Sequence, residues 1–153
     1  MAKQSNATVV KNRKAYHDYT ILEVWEAGIV LQGTEVKSLR EHKVQMQDSY
    51  VQVKGTELFL IGLWIAPYSH GNLHNHLQTR PRKLLLHKKQ ILKIRQKSQE
   101  KHLTIIPLNI HLTQSKLFKV DIALGKGKKQ HDKREKIKEQ EDKRSMERAM
   151  KPR

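Results

Sequence analysis

No cysteine occurs in the 153 residues, so disulfides, thiolate metal ligands and a thiol nucleophile are excluded. No stretch approaches the roughly 18 consecutive apolar residues that a membrane span needs. The opening residues, MAKQSNATVVKNRK, lack the apolar run of a secretory leader, which predicts a soluble cytoplasmic protein. Acidic residues are few: 15 Asp and Glu stand against 31 Lys and Arg. They are scattered, whereas a metal-dependent nuclease needs clustered carboxylates to hold its metal. No paired carboxylates stand near a plausible base, and no Ser–His–Asp pattern is present. The chain reads as a protein that is not an enzyme, with no catalytic residues, no metal and no cofactor. No repeat of 20–50 residues suggests a solenoid.

What is abundant is positive charge. The net charge is +16 and the pI about 10.1, which points to a polyanion: nucleic acid first, an anionic membrane surface second. The charge is uneven. Residues 1–124 carry 19 basic and 9 acidic side chains, residues 125–153 carry 12 and 6. That last stretch has no Phe, Trp, Tyr, Leu or Val. It cannot bury enough apolar surface to offset its ordering entropy, and is expected to be disordered alone. The division expected is a body, 1–124, and a basic tail, 125–153.

The body reads as mostly β. Tyr50–Lys54 and Glu57–Ile65 flank Lys54-Gly55-Thr56, a hairpin signal. Leu108, Ile110 and Leu112 alternate on one expected face. Phe118, Val120, Ile122 and Leu124 alternate on the next strand, after a turn at 113–116. Tyr19–Trp25 is an earlier strand, and Pro107 marks an edge or bulge. Short helices are expected at Thr34–Glu41 and His87–Lys97. The predicted architecture is an OB-like closed antiparallel barrel of about six strands with short flanking helices.

Five clusters carry possible chemistry. From residue 80 to 101 there are nine basic residues and one acid, Glu100. Arg82, Lys83, His87 and Lys88 lie in this run, whose density suggests a phosphate backbone nearby. Asn12, Arg13 and Lys14 could form a basic arm that grips phosphate, or a frayed terminus. Glu35, between Gly33 and Arg40, could accept hydrogen bonds from a nucleobase amine or a 2′-hydroxyl. More often such an acid holds neighbouring Lys or Arg in place. His70, His74 and His76 lack a fourth zinc ligand and read as a loop with incidental histidines. The tail opens with Gly125-Lys126-Gly127-Lys128-Lys129 and continues as Gln130-His131-Asp132-Lys133-Arg134. It lacks the spacing of a nucleotide P-loop. Asp132 with Glu135 suggests a helix start, and Asp132/Lys136, Glu139/Lys143 and Glu147/Lys151 are favourable i,i+4 pairs.

The run Ala27-Gly28-Ile29-Val30-Leu31-Gln32-Gly33-Thr34-Glu35-Val36-Lys37-Ser38-Leu39-Arg40 resembles the signature block of the bacterial SsrA-binding protein family, also called small protein B. Asp48-Ser49-Tyr50, Arg82-Lys83-Leu84-Leu85-Leu86-His87 and the 125–134 segment match in order and spacing. The resemblance implies an OB-like barrel that binds transfer-messenger RNA at its tRNA-like domain. It implies delivery, with elongation factor Tu and alanyl-transfer-messenger RNA, to ribosomes stalled on an mRNA without a stop codon. There the protein stands in for an anticodon stem, and trans-translation tags the peptide for degradation. The implied RNA-facing residues are Asn12, Glu35, Lys37, Arg40, Lys83, Leu85 and His87, to which the charge pattern adds Arg13, Lys14, Arg82, Lys88, Lys126, Lys128 and Lys129. The tail, helical on the ribosome, would place Gly127, His131, Asp132, Lys133, Arg134, Lys138, Lys143, Arg144, Arg148 and Met150 in the small-subunit decoding centre and mRNA channel. Asp142 and Ala149 stand where many members carry bulkier residues. A monomer that spans no membrane is expected. The alternative is a structural RNA-binding protein of the mature ribosome.

Overall fold

The computed structural model describes residues 6–151; the outer ends of both expected segments, 1–5 and 152–153, lie outside them. Nine strands and four α-helices follow in order: β1 (Ala7–Lys11), α1 (Arg13–Asp18), β2 (Tyr19–Ile29), α2 (Gly33–Arg40), β3 (Val44–Gln45), β4 (Tyr50–Lys54), β5 (Glu57–Ile61), β6 (Trp64–Ile65), β7 (Arg82–Leu85), α3 (Lys88–Glu100), β8 (Thr104–Leu112), β9 (Phe118–Gly127) and α4 (Gln130–Met150). Seven strands form one antiparallel sheet in the order β1-β8-β9-β2-β7-β5-β4; β3 and β6 make a separate two-stranded ribbon.

The expected closed barrel of about six strands is not found: among the described residues no ladder joins β1 to β4. The sheet curls, and β4 passes the first half of β8 without pairing to it. Two strand breaks explain why. β1 pairs only with the second half of β8, from Asn109 to Leu112, leaving Thr104–Pro107 without a partner on that edge. The apolar run from Glu57 does not continue to Ile65 as one strand. Gly62, at φ 80°, turns the chain after Ile61, and Trp64–Ile65 pairs with β3 instead.

Pro107 does mark a bulge: the β8–β9 register shifts between Pro107 and Asn109. The shift reverses the alternation. Ile105 and Ile110 enter the main core with Leu58, Leu60, Val120, Ile122 and Leu124. Ile106 and Leu108 lie on the other face, in a smaller cluster with Ala15, Ala123, Tyr16 and Tyr19. Leu108 and Ile110 therefore do not share a face, because an extra residue stands between them. The small cluster is the seat of α1, which the sequence presented only as a basic arm.

The tail is continuous with the sheet at its root. β9 runs unbroken through Gly127, with Gly125, Lys126 and Gly127 opposite Ile21, Thr20 and Tyr19. Gln130–Met150 is a single helix, with Lys129 as its N-cap and Asp132 inside the first turn rather than before it. Its first turns lean on α1. Lys128 donates its amide to the Asp18 carbonyl at 2.8 Å and its ammonium to the Tyr16 carbonyl at 3.1 Å. Lys133 Nζ stands 3.4 Å from Asp18 Oδ1. Beyond these contacts α4 buries no residue.

Candidate nucleic-acid interface

The 80–88 segment forms a strand that sorts its side chains by parity. Arg82 and Leu84 point into the protein; Lys83 and Leu85 point out. The chain then leaves the sheet, His87 caps α3 and Lys88 begins it, both exposed. Lys83, Leu85, His87 and Lys88 thus all reach solvent, and Leu85 and His87 border one hollow. Leu85 is 52% exposed and lies across Gly28, where a Cβ would stand 3.2 Å from that of Leu85. Gly28 is thereby the seat that lets Leu85 lie flat. The hollow beside it is bordered by Glu26, His87, Gln90 and Lys119. Lys83 Nζ reaches Glu57 at 2.8 Å, and both side chains remain open to solvent.

Three of the expected RNA-facing residues turn inward. Arg82 is fully buried. Its Nε donates to Glu35 Oε2 at 2.5 Å, and its other nitrogens donate to the Leu63 carbonyl and, at 3.0 Å, to that of Gln78. Glu35 is also fully buried, paired through its other oxygen with Arg80, and accepts the Gln32 amide at 2.9 Å at the start of α2. Burial raises the Glu35 carboxyl, but the Arg80 guanidinium, the Gln32 amide and Arg82 outweigh it and hold the group below the usual glutamate range. Both oxygens of Glu35 are thus engaged from within and the side chain is fully buried, so it presents no edge to a nucleobase. Asn12 is the third. It caps α1 by accepting the Ala15 amide at 3.2 Å, and its own amide donates 3.0 Å to the Pro107 carbonyl, freed at the bulge. These side chains shape the surface and do not form it.

The same network absorbs a histidine that looked incidental. His76 is buried, with Nε2 3.0 Å from the Ile65 carbonyl and Nδ1 2.8 Å from the Thr34 hydroxyl. A carbonyl only accepts, so Nε2 carries the proton and Nδ1 accepts from Thr34. With Arg80 and the paired hydrogen bonds between Tyr68 and Asn75, it fastens the 66–80 loop to α2. Lys37 lies over the Tyr68 ring at 5.0 Å. The role of Arg80 was not legible in sequence, because it depends on a contact across 45 positions.

The remaining cations are outward. Arg13, Lys14, Lys37, Arg40, Lys126 and Lys129 are exposed, and Lys128 partly so. Lys14 pairs with Asp48 at 2.6 Å and lines a different cleft from the Leu85 hollow. Along α4, His131, Asp132, Arg134, Lys138, Lys143, Arg144, Arg148 and Met150 are exposed; Lys133 is half-covered by Asp18. Gly127 ends β9 with open space where a Cβ would be. The result is a charged surface with an apolar platform at Leu85, suited to a phosphate backbone, continued by a cationic helix.

Over residues 9–152 the chain matches the model of the family described as SmpB protein. It is 53% identical over 149 residues to the SsrA-binding protein of Protochlamydia amoebophila (strain UWE25), covering 97% of both chains. It is 51% identical over 145 residues to that of Syntrophobacter fumaroxidans (strain DSM 10017 / MPOB), covering 95% of this chain and 89% of the other. Among solved structures it resembles a chain of "tmRNA-SmpB: a journey to the center of the bacterial ribosome", with a TM-score of 0.67 and 46% identity over 79% of this chain and 85% of that one. With nearly its whole length matched at this identity, the chain belongs to the SmpB, or SsrA-binding protein, family.

Proposed function

We propose that the chain binds transfer-messenger RNA and brings it to stalled ribosomes for trans-translation. The likeness to SsrA-binding proteins over 97% of the chain carries this reading. The body holds the tRNA-like domain through Lys83, Leu85, His87 and Lys88, with Lys37 and Arg40 on α2. Glu35, Arg82 and Asn12 position those elements from beneath. The tail, from Gly127, follows the small-subunit decoding centre and the empty mRNA channel as a helix. There His131 stacks on an unpaired base, and the tail cations pair with ribosomal phosphates. Elongation factor Tu with the alanylated RNA is the accompanying partner, the setting is the cytoplasm, and the protein works by binding and not by catalysis. Dividing the chain into an RNA-binding body and a channel-reading tail fits the lack of buried residues in α4.

The test is a salt titration with the isolated tRNA-like domain. Each phosphate contact contributes a slope of about −0.7 to −0.9 in log K against log salt. Replacing Lys83 and Lys88 together by Gln is expected to weaken binding and flatten the slope by about 1.5. A double variant with unchanged affinity and slope would place the RNA on another surface.

A further inference from the structure

Where β4 passes β8 unpaired, the surface sinks on either side of Tyr50. One cleft, about 480 Å³, is lined by Lys14, Tyr19, Asp48, Ser49 and Thr104 with others. The second, about 350 Å³, lies between β4 and α3 and is bordered by Arg95 and Gln99. Tyr50 borders both and is 46% exposed. Its backbone is fixed by pairing with Ile61. The preceding turn is built at some cost. Asp48 adopts φ 63°, a left-handed conformation for a residue with a side chain. Ser49 Oγ donates to the Met46 carbonyl at 2.5 Å, and Gly62 lets the Asp48 carbonyl come within 3.2 Å of where its Cβ would be. Asp48 is thereby aimed at Lys14, on the rim.

The arrangement is a half-exposed ring on a paired strand between two hollows, with a cation at each: Lys14, in its pair with Asp48, on one side and Arg95 on the other. Asp48 and Thr104 add polar groups at the edge. An aromatic face with flanking cations and hydrogen-bonding groups fits an unpaired nucleotide, whose base can stack while its phosphates meet the cations. A paired base cannot reach such a ring, because both its faces are covered by its neighbours in the helix.

We propose that the seam between β4 and β8 is a binding site for unpaired RNA nucleotides, with Tyr50 as the stacking platform. This rests on the RNA-binding reading above but uses a separate surface: none of the cleft residues borders the hollow beside Leu85 and His87. The base lies on the Tyr50 ring, and Lys14 and Arg95 hold the phosphates on its two sides.

The experiment uses the full chain and a uridine-rich ten-nucleotide RNA carrying 5-bromouracil, irradiated and mapped by mass spectrometry. An adduct on Tyr50 is expected. Tyr50→Ala is expected to weaken binding of the same oligonucleotide by about tenfold, in line with loss of one stacked base. Tyr50→Phe keeps the wild-type affinity, because the stack needs the ring and not the hydroxyl. Arg95→Gln is expected to flatten the salt slope by about one contact, which checks the site without touching Tyr50. Unchanged affinity in Tyr50→Ala, equal loss in Tyr50→Phe, or adducts confined to residues 125–153 overturns the proposal. The Lys83/Lys88 titration uses a folded RNA and other residues, so either result can fail without the other.

Discussion

Glu35 sits at the crossing of two demands. It is fully buried, yet surrounded by a protein of net charge +16. A buried carboxylate is tolerable only when paired and hydrogen-bonded, and Arg80, Arg82 and the Gln32 amide supply this. Replacing Glu35 by Ala leaves the Arg82 guanidinium buried without its counter-charge. The expected cost is about 3–5 kcal/mol, read as a fall in melting temperature. RNA affinity falls with it, through loosening of the 66–80 loop. The pH dependence follows from the depressed carboxyl. Its contribution is complete above the unfolded value of about 4.3 and is lost as pH falls through the lower folded value. The gap between the melting curves of wild type and Glu35→Gln is expected to narrow as pH falls below the unfolded value. Curves that stay equally far apart at all pH values would remove the ion pair from the account. In sequence Glu35 was visible as an acid among bases; which bases it meets was not, because Arg80 and Arg82 arrive from 45 and 47 positions away.

At the scale of elements, legibility tracks how local the stabilisation is. The β4–β5 hairpin, α2 and α3 were readable, since turn residues and helix formers lie within a few positions of one another. β9 was readable from its alternation. β1 and α1 were not. Five residues of β1 become a strand only by pairing with β8, about a hundred positions on. Six residues of α1 become a helix through the Asn12 cap and the Ile106–Leu108 surface that the bulge turns outward. The exposed cations Lys83 and Lys88 were legible from charge density, whereas burial of Arg82 required the parity of β7. The end of β9 yields a prediction. A chain cut after Lys129 loses a helix with no buried residue and is expected to melt within a few degrees of the full chain. A cut after Leu124 also removes three residues paired with Tyr19–Ile21 and is expected to melt lower. Thermal circular dichroism of the two truncations distinguishes them; equal melting would show that the last rungs of β9 contribute nothing.

For the whole molecule, the charge divides labour. The body carries 19 of the 31 Lys and Arg; the tail carries 12, seven of them on α4, a helix that buries no residue. A chain ending at Gln130 is therefore expected to keep near-normal affinity for free transfer-messenger RNA. It should fail to support peptide tagging on ribosomes stalled at an mRNA end. Filter binding and a tagging assay on the same preparation check this. Parallel loss in both would make the tail part of the primary RNA site, and full tagging would make it a solubilising appendage.

Only Lys128 and Lys129 separate the last rung of β9 from the first residue of α4, and the Lys128 amide is tied to α1. There is almost no slack at the root, so the helix behaves as a boom. Its 21 residues extend for roughly 30 Å at 1.5 Å per residue. A tilt of about 10° at the root then swings Met150 by roughly 5 Å. Length and azimuth are also coupled: one added residue rotates the tip by about 100°, whereas seven advance it by about 10 Å and return it close to its original bearing. The tail is thus gauged from the sheet in both distance and phase.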